Sequence, residues 1–128
     1  MKRKKSFVLD DKDNRAVQLF SELGMPKNLA KTLLYISQVD EARSADVEQG
    51  ADLRQPEVSV AMQELRRRGW AKKRDVKKKG KGRPVHLYKL TADLPTILKS
   101  FEKEKMKEVE NIRQDLDQLH NLISSMEK

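Results

Sequence analysis

Apolar residues recur at helical spacing through most of the chain and at strand spacing in a short stretch past its middle. Ala16, Leu19, Phe20 and Leu23 stand at i, i+3, i+4 and i+7, which predicts a helix over Asp13–Leu23 with those four buried. Gly24 stops it, and Pro26 suits the first turn of the next. Leu29, Leu33 and Ile36, flanked by Leu34 and Tyr35, predict a second helix over Lys27–Val39. Asp40–Arg43 is polar and reads as a connection. Ser44 is placed to cap a third helix that buries Ala45, Val47 and Ala51, with Asp46 and Glu48 near its start. Asp52 follows at a tight turn, where aspartate tolerates left-handed backbone better than most residues.

The fourth helix runs from near Pro56 to Gly69. Val58, Ala61, Met62 and Leu65 form one buried stripe on it. Away from that stripe lie Gln55, Ser59 and Gln63, short or amide side chains suited to base edges. Arg66, Arg67 and Arg68 close the helix, where cations favour the negative end of its dipole and reach phosphate. A short helix, a tight turn and a second helix of this kind make a helix-turn-helix that enters a groove of DNA.

Beyond Gly69 the period changes. Trp70–Val76 and Val85–Leu90 read as strands, and Lys77–Pro84 between them, with two glycines and a proline, reads as a hairpin tip. From Arg66 to Leu90 the chain carries cation after cation, and Asp75 is the sole acid. Like charges on neighbouring strands repel, so a hairpin of one sign points to a phosphate backbone against it. Lys77, Lys78, Lys79, Lys81 and Arg83 are the expected backbone contacts, with Arg83 the best suited to the minor groove.

From Asp93 to Met126 no glycine or proline follows Pro95, which predicts one long helix. Leu94, Ile97, Leu98 and Phe101 form its first apolar face. The spacing then resets: Val109, Ile112, Leu116, Leu119, Ile123 and Met126 alternate by three and four, the seam of a coiled coil. A lone helix cannot bury a seam against itself, so a second copy is the expected partner. A seam this short is marginal alone, and further dimer contacts are expected from the first helix.

Composition narrows the classes. The 128 residues carry a formal net charge of +8, with 38% charged and 5% aromatic residues, so the core is small and aliphatic and a polyanionic partner is favoured. With no cysteine, disulfides, zinc-thiolate sites and thiol nucleophiles are absent. No apolar run approaches the roughly 20 residues that span a bilayer. Met1–Lys5 is basic, but Ser6–Leu9 is too short an apolar stretch for a signal peptide, so the expected location is the cytoplasm, at the nucleoid. His86 and His120 are far apart, Gly80 and Gly82 lack the following helix of a nucleotide loop, and the carboxylates are scattered on helical faces. The expectation is therefore no enzyme, no metal and no cofactor.

The order of helices, recognition helix, hairpin and long helix resembles the winged helix-turn-helix regulators of prokaryotes, most closely small archaeal TrmB-like and MarR-like proteins. The resemblance covers Leu23–Thr91 and rests on Leu23-Gly24, on Val47, Ala51, Leu53, Val58 and Ala61, on Leu65 and Gly69, and on Gly82-Arg83-Pro84-Val85 with Tyr88-Lys89-Leu90-Thr91. Leu53–Ser59 is also similar to the Leu-Ser-Gln-Pro-Thr-Val-Ser core of ArsR-type repressors, with Gln55, Pro56, Val58 and Ser59 in place. Glu48, Asp52 and Arg54 depart from the pattern, which usually has a small residue, a glycine and a serine cap there. A lost cap costs about 1 kcal/mol unless Glu57 compensates. The sugar-binding domain of full-length TrmB-type proteins and the cysteine ligands of metal-sensing ArsR proteins are missing.

The expected fold is mostly α with a small β-wing: a basic tail over 1–10, a winged helix-turn-helix over 11–92 and a dimerisation helix over 93–128. The expected function is a homodimeric, sequence-specific, double-stranded DNA-binding transcriptional regulator. Arg54, Gln55, Ser59 and Gln63 would meet bases, and Arg66, Arg67 and the hairpin cations would meet the backbone. The rivals are a non-specific chromatin protein of the same fold and a winged-helix protein-interaction module. The expected partners are double-stranded DNA and a second copy, with no membrane, and a small-molecule effector is left open.

Overall fold

The computed structural model describes residues 8–76 and 85–127. They form α1 (Asp11–Glu22), α2 (Lys27–Ile36), α3 (Ser44–Ala51), α4 (Gln55–Arg67), β1 (Ala71–Val76), β2 (Val85–Leu90) and α5 (Leu94–Met126). The chain divides into two compact units, Met1–Leu94 and Pro95–Lys128.

In the first unit α1, α3, α4 and β2 all pack on α2. That central place explains why α2 is buried almost all round, with Leu29, Ala30, Thr32, Leu33, Leu34, Tyr35 and Ile36 inside. The buried Thr32 hydroxyl is satisfied locally, since its Oγ1 donates to the Asn28 carbonyl at 2.9 Å. The helix stops at Ile36 rather than Val39. Ser37–Val39 instead turn more tightly: Gln38 N–H donates to the Tyr35 carbonyl at 3.1 Å and Val39 N–H to the Ile36 carbonyl at 3.3 Å.

Two buried faces differ from the sequence expectation. On α1 the inner residues are Asp13, Val17 and Phe20, while Leu19 and Leu23 are 44% and 54% exposed. Asp13 turns inward because its carboxylate accepts from Asp10 N–H at 3.0 Å and from Gln38 Nε2 at 2.8 Å. Asp10 in turn accepts from Asp13 N–H at 2.9 Å, a reciprocal cap that starts the helix at Asp11. On α3, Ala45 is exposed and Gly50 joins Val47 and Ala51 inside. The residue ahead of that helix is Arg43, not Ser44, and its N–H donates to Asp46 Oδ2 at 3.0 Å. The packed chain reaches back to Leu9, ahead of the boundary drawn at residue 10: Leu9 is buried, and its N–H donates to the Gly50 carbonyl at 2.9 Å.

Asp52 adopts φ 54°, ψ 58°, the left-handed turn expected of it between α3 and α4. Gly69 at φ 79° ends α4 by letting Trp70 N–H reach back to the Leu65 carbonyl at 2.9 Å. β1 and β2 pair antiparallel from Ala71↔Leu90 to Val76↔Val85. The stretch expected to be a mere connection adds to this sheet. Ala42 is buried and exchanges hydrogen bonds with Tyr88, at 2.9 and 2.8 Å.

In the second unit α5 is continuous over 33 residues. Of its first apolar face Ile97 and Phe101 are buried, but Leu98 is exposed. Val109, Ile112, Leu116, Leu119, Ile123 and Met126 are all exposed in the single chain. No helix among the described residues is long and apolar enough to cross a membrane.

Candidate nucleic-acid interface

Helix α4 presents two chemically distinct faces. Val58, Ala61, Met62 and Leu65 are buried against the rest of the first unit. Arg54, Gln55, Pro56, Ser59, Val60, Gln63, Arg66 and Arg67 are exposed. At 100° per residue Pro56, Val60, Gln63 and Arg67 cluster at the centre of the open face, with Ser59, Arg66 and Gln55 towards one edge. Val60, 67% exposed there, was missed in the sequence. An exposed valine among polar groups has a natural counterpart in the thymine methyl of the major groove. Its one sequence signal was a valine lying off the buried stripe.

The N-terminus of α4 is held by the replacement cap. Arg54 N–H donates to Glu57 Oε1 at 2.8 Å, and Asn28 Nδ2 donates to Glu57 Oε2 at 3.3 Å. One carboxylate thus closes the helix end and ties it to α2. Arg54, immediately ahead of the helix, is exposed. Glu57 and Val60 also line a shallow, mainly apolar groove with Pro26, Leu29 and Pro56.

The three arginines at the other end are not equivalent. Glu64 takes Arg67 Nε and Nη2 at 2.8 and 2.6 Å and Arg68 Nε at 2.8 Å. These bonds, Arg67's first, push the Glu64 carboxyl down to about 2. Arg68 also lies 5.0 Å over the Trp70 ring and is only partly exposed. Arg66 makes no ion pair among the described residues.

In the wing, residues directly opposite one another share a face. Lys73 and Tyr88 lie on the face of Ala71 and Leu90, and Lys72 and Lys89 oppose each other on the other. The run of cations is less one-signed in space than in sequence. Glu41, from outside that run, receives Arg74 Nε at 2.5 Å and Nη2 at 2.7 Å. Arg74, with Lys89 and Lys72 farther off, holds the Glu41 carboxyl below its usual range. Asp75 meets His86 Nδ1 at 2.6 Å, which places His86 in a cross-strand pair on the surface. Lys72, Lys73 and Lys89 are exposed and make no ion pair among the described residues. The predicted contacts Lys77, Lys78, Lys79, Lys81 and Arg83 lie outside the described residues.

A helix-turn-helix backed by a two-stranded hairpin and followed by a long helix is the winged helix-turn-helix fold, and that is the fold of this chain. A possible transcriptional regulator from Methanosarcina mazei Go1 superposes with a TM-score of 0.63 at 14% identity, over 82% of this chain and 87% of the other. TrmBL2, described as an archaeal chromatin protein with a novel mode of DNA binding, superposes with 0.56 at 15% identity. Its match spans 89% of this chain but 44% of TrmBL2. A MarR family transcription regulator gives 0.50 at 16% identity, over 90% and 76%. No protein-family model and no curated protein sequence matches the chain.

Proposed function

We propose that this protein is a homodimeric, sequence-specific, double-stranded DNA-binding transcriptional regulator. The observation that carries the reading is the open face of α4: one side of the helix is sealed in the core, and the other offers Gln55, Ser59, Val60 and Gln63 to the outside. In the major groove the amides pair with adenine or guanine edges, Val60 packs on a thymine methyl, and Arg54 reaches guanine or phosphate. Arg66 takes backbone phosphate, and Arg67 joins it by exchanging Glu64 for phosphate. Lys77, Lys78, Lys79, Lys81 and Arg83 carry the wing to the backbone and minor groove. The exposed seam Val109–Met126 joins two copies, and Leu19 on α1 with Leu23 just after it offers a second contact. Two copies imply a pseudo-palindromic operator.

Selection of bound fragments from random DNA by the purified protein tests this. A shared motif is expected, and it should be lost when Gln55, Ser59 and Gln63 are changed together to Ala. The absence of any motif from the wild-type selection would overturn base reading.

A second reading, a chromatin-type coater, draws support from Lys72, Lys73 and Lys89, exposed cations on the sheet that make no ion pair among the described residues. The two separate at about 150 mM salt. A regulator keeps roughly a thousandfold preference for its site, whereas a coater keeps only a steep salt slope.

A further inference from the structure

We infer that the C-terminal helices of two copies pair in parallel, in register, through ion pairs that only that direction allows. This rests on the homodimer proposed above and specifies its geometry.

The three-and-four spacing sets the heptad. Val109, Leu116 and Ile123 take position a, and Ile112, Leu119 and Met126 take position d. Upstream the same frame puts Glu102 at a and Lys105 at d, so the apolar seam starts at Val109. Position g then holds Glu108, Asp115 and Leu122, and position e holds Arg113, His120 and Glu127. All six seam residues are exposed in the single chain, so the seam awaits a partner.

In a parallel coiled coil each g residue meets the e residue five positions on in the other copy. Glu108 then meets Arg113 of the second copy, Asp115 meets its His120, and the same pairs repeat by symmetry. Leu122 meets Glu127, a neutral contact. In the antiparallel arrangement that overlaps the same seam, g meets g and e meets e. Asp115 then faces Asp115, His120 faces His120 and Glu108 faces Leu122, which leaves Arg113–Glu127 as the attractive pair. The flank is therefore self-complementary in one direction and self-repelling at its centre in the other. A second copy is also the partner that the charges specify, because Glu108 and Arg113 find their opposites on an identical helix. Parallel pairing starts both winged-helix units from the same end of the coil, where they can address one duplex.

Cysteine scanning of the full chain tests the direction without background, because the sequence contains no cysteine. Sedimentation equilibrium first establishes the assembly, and a monomer overturns the homodimer itself. Given a dimer, Val109→Cys alone and Met126→Cys alone should each cross-link on mild oxidation. If the helices are antiparallel, these sites sit about 25 Å apart across the interface, and cross-links form only when the two variants are mixed. That outcome overturns parallel pairing and leaves the homodimer standing. A dimer that cross-links in neither way overturns the seam as the interface. Glu108→Arg should weaken dimerisation about tenfold, and adding Arg113→Glu should restore it to within about threefold. Failure of Arg113→Glu to restore the Glu108→Arg dimer overturns the parallel pairing.

Discussion

Glu57 joins helix capping to the placement of α4 on α2, so its loss has a magnitude that can be worked out. Its two oxygens accept from Arg54 N–H at 2.8 Å and from Asn28 Nδ2 at 3.3 Å. Glu57→Ala removes both. The lost cap costs about 1 kcal/mol. The lost tie to α2, which is partly solvated and long, adds about 0.5–1 kcal/mol. The sum, about 1.5–2 kcal/mol, corresponds to roughly 10 °C in Tm for a domain of this size. Glu57→Gln keeps an oxygen for Arg54 N–H and should lose less than about 0.7 kcal/mol. Urea denaturation followed by circular dichroism measures both variants. Equal losses in the two, or no loss in the alanine variant, would refute the capping account. The alanine variant should also bind DNA more weakly at temperatures where it remains folded, because the start of α4 frays where Arg54 and Gln55 stand.

The remaining expectations concern the fold. Asp52→Gly should raise stability by about 0.5–1 kcal/mol, since glycine adopts the left-handed turn at φ 54° without steric cost, and Asp52→Val should lower it by about 1–2 kcal/mol. Denaturant titration reads both, and a stabilising valine would contradict the geometry. Leu33→Ala, at a fully buried site on the central helix, should cost about 3 kcal/mol by the same method, and a loss below about 1 kcal/mol would refute its place in the core. Glu64 titrates near 2 when folded against an ordinary 4.5. Its depressed value makes its contribution whole above pH 4.5 and progressively lost as pH falls towards 2. The wild type should therefore lose stability more steeply than Glu64→Gln between those values, and parallel slopes would disprove the pairing with Arg67 and Arg68.

How far the site could be read in advance depended on the range of the forces involved. The buried stripe of α4, the left-handed Asp52 and the capping role of Glu57 rest on contacts within a turn or two, so spacing reveals them. The face of α1 did not yield to spacing. Its apolar residues permit two stripes, and the choice of Val17 over Leu19 and Leu23 follows from the bond of Asp13 to Gln38, 25 residues away. The pairing of Glu41 with Arg74, 33 residues apart, likewise lowers the charge of the wing in a way no local run of cations reveals. Val60 was overlooked because an isolated valine carries no period of its own.

By itself, the order of residues determined where helices and strands lie, which α4 side chains are sealed, and that α5 carries a seam. Backbone hydrogen bonding and hydrophobic periodicity act over a few residues, so the chain need not be folded for them to be legible. Only the tertiary structure decided which side of α1 turns inward, that Ala42 joins the sheet beside Tyr88, and which of the three arginines closing α4 pair with Glu64. Those outcomes depend on what a distant part of the chain brings alongside, and burial rewards the face that finds a partner.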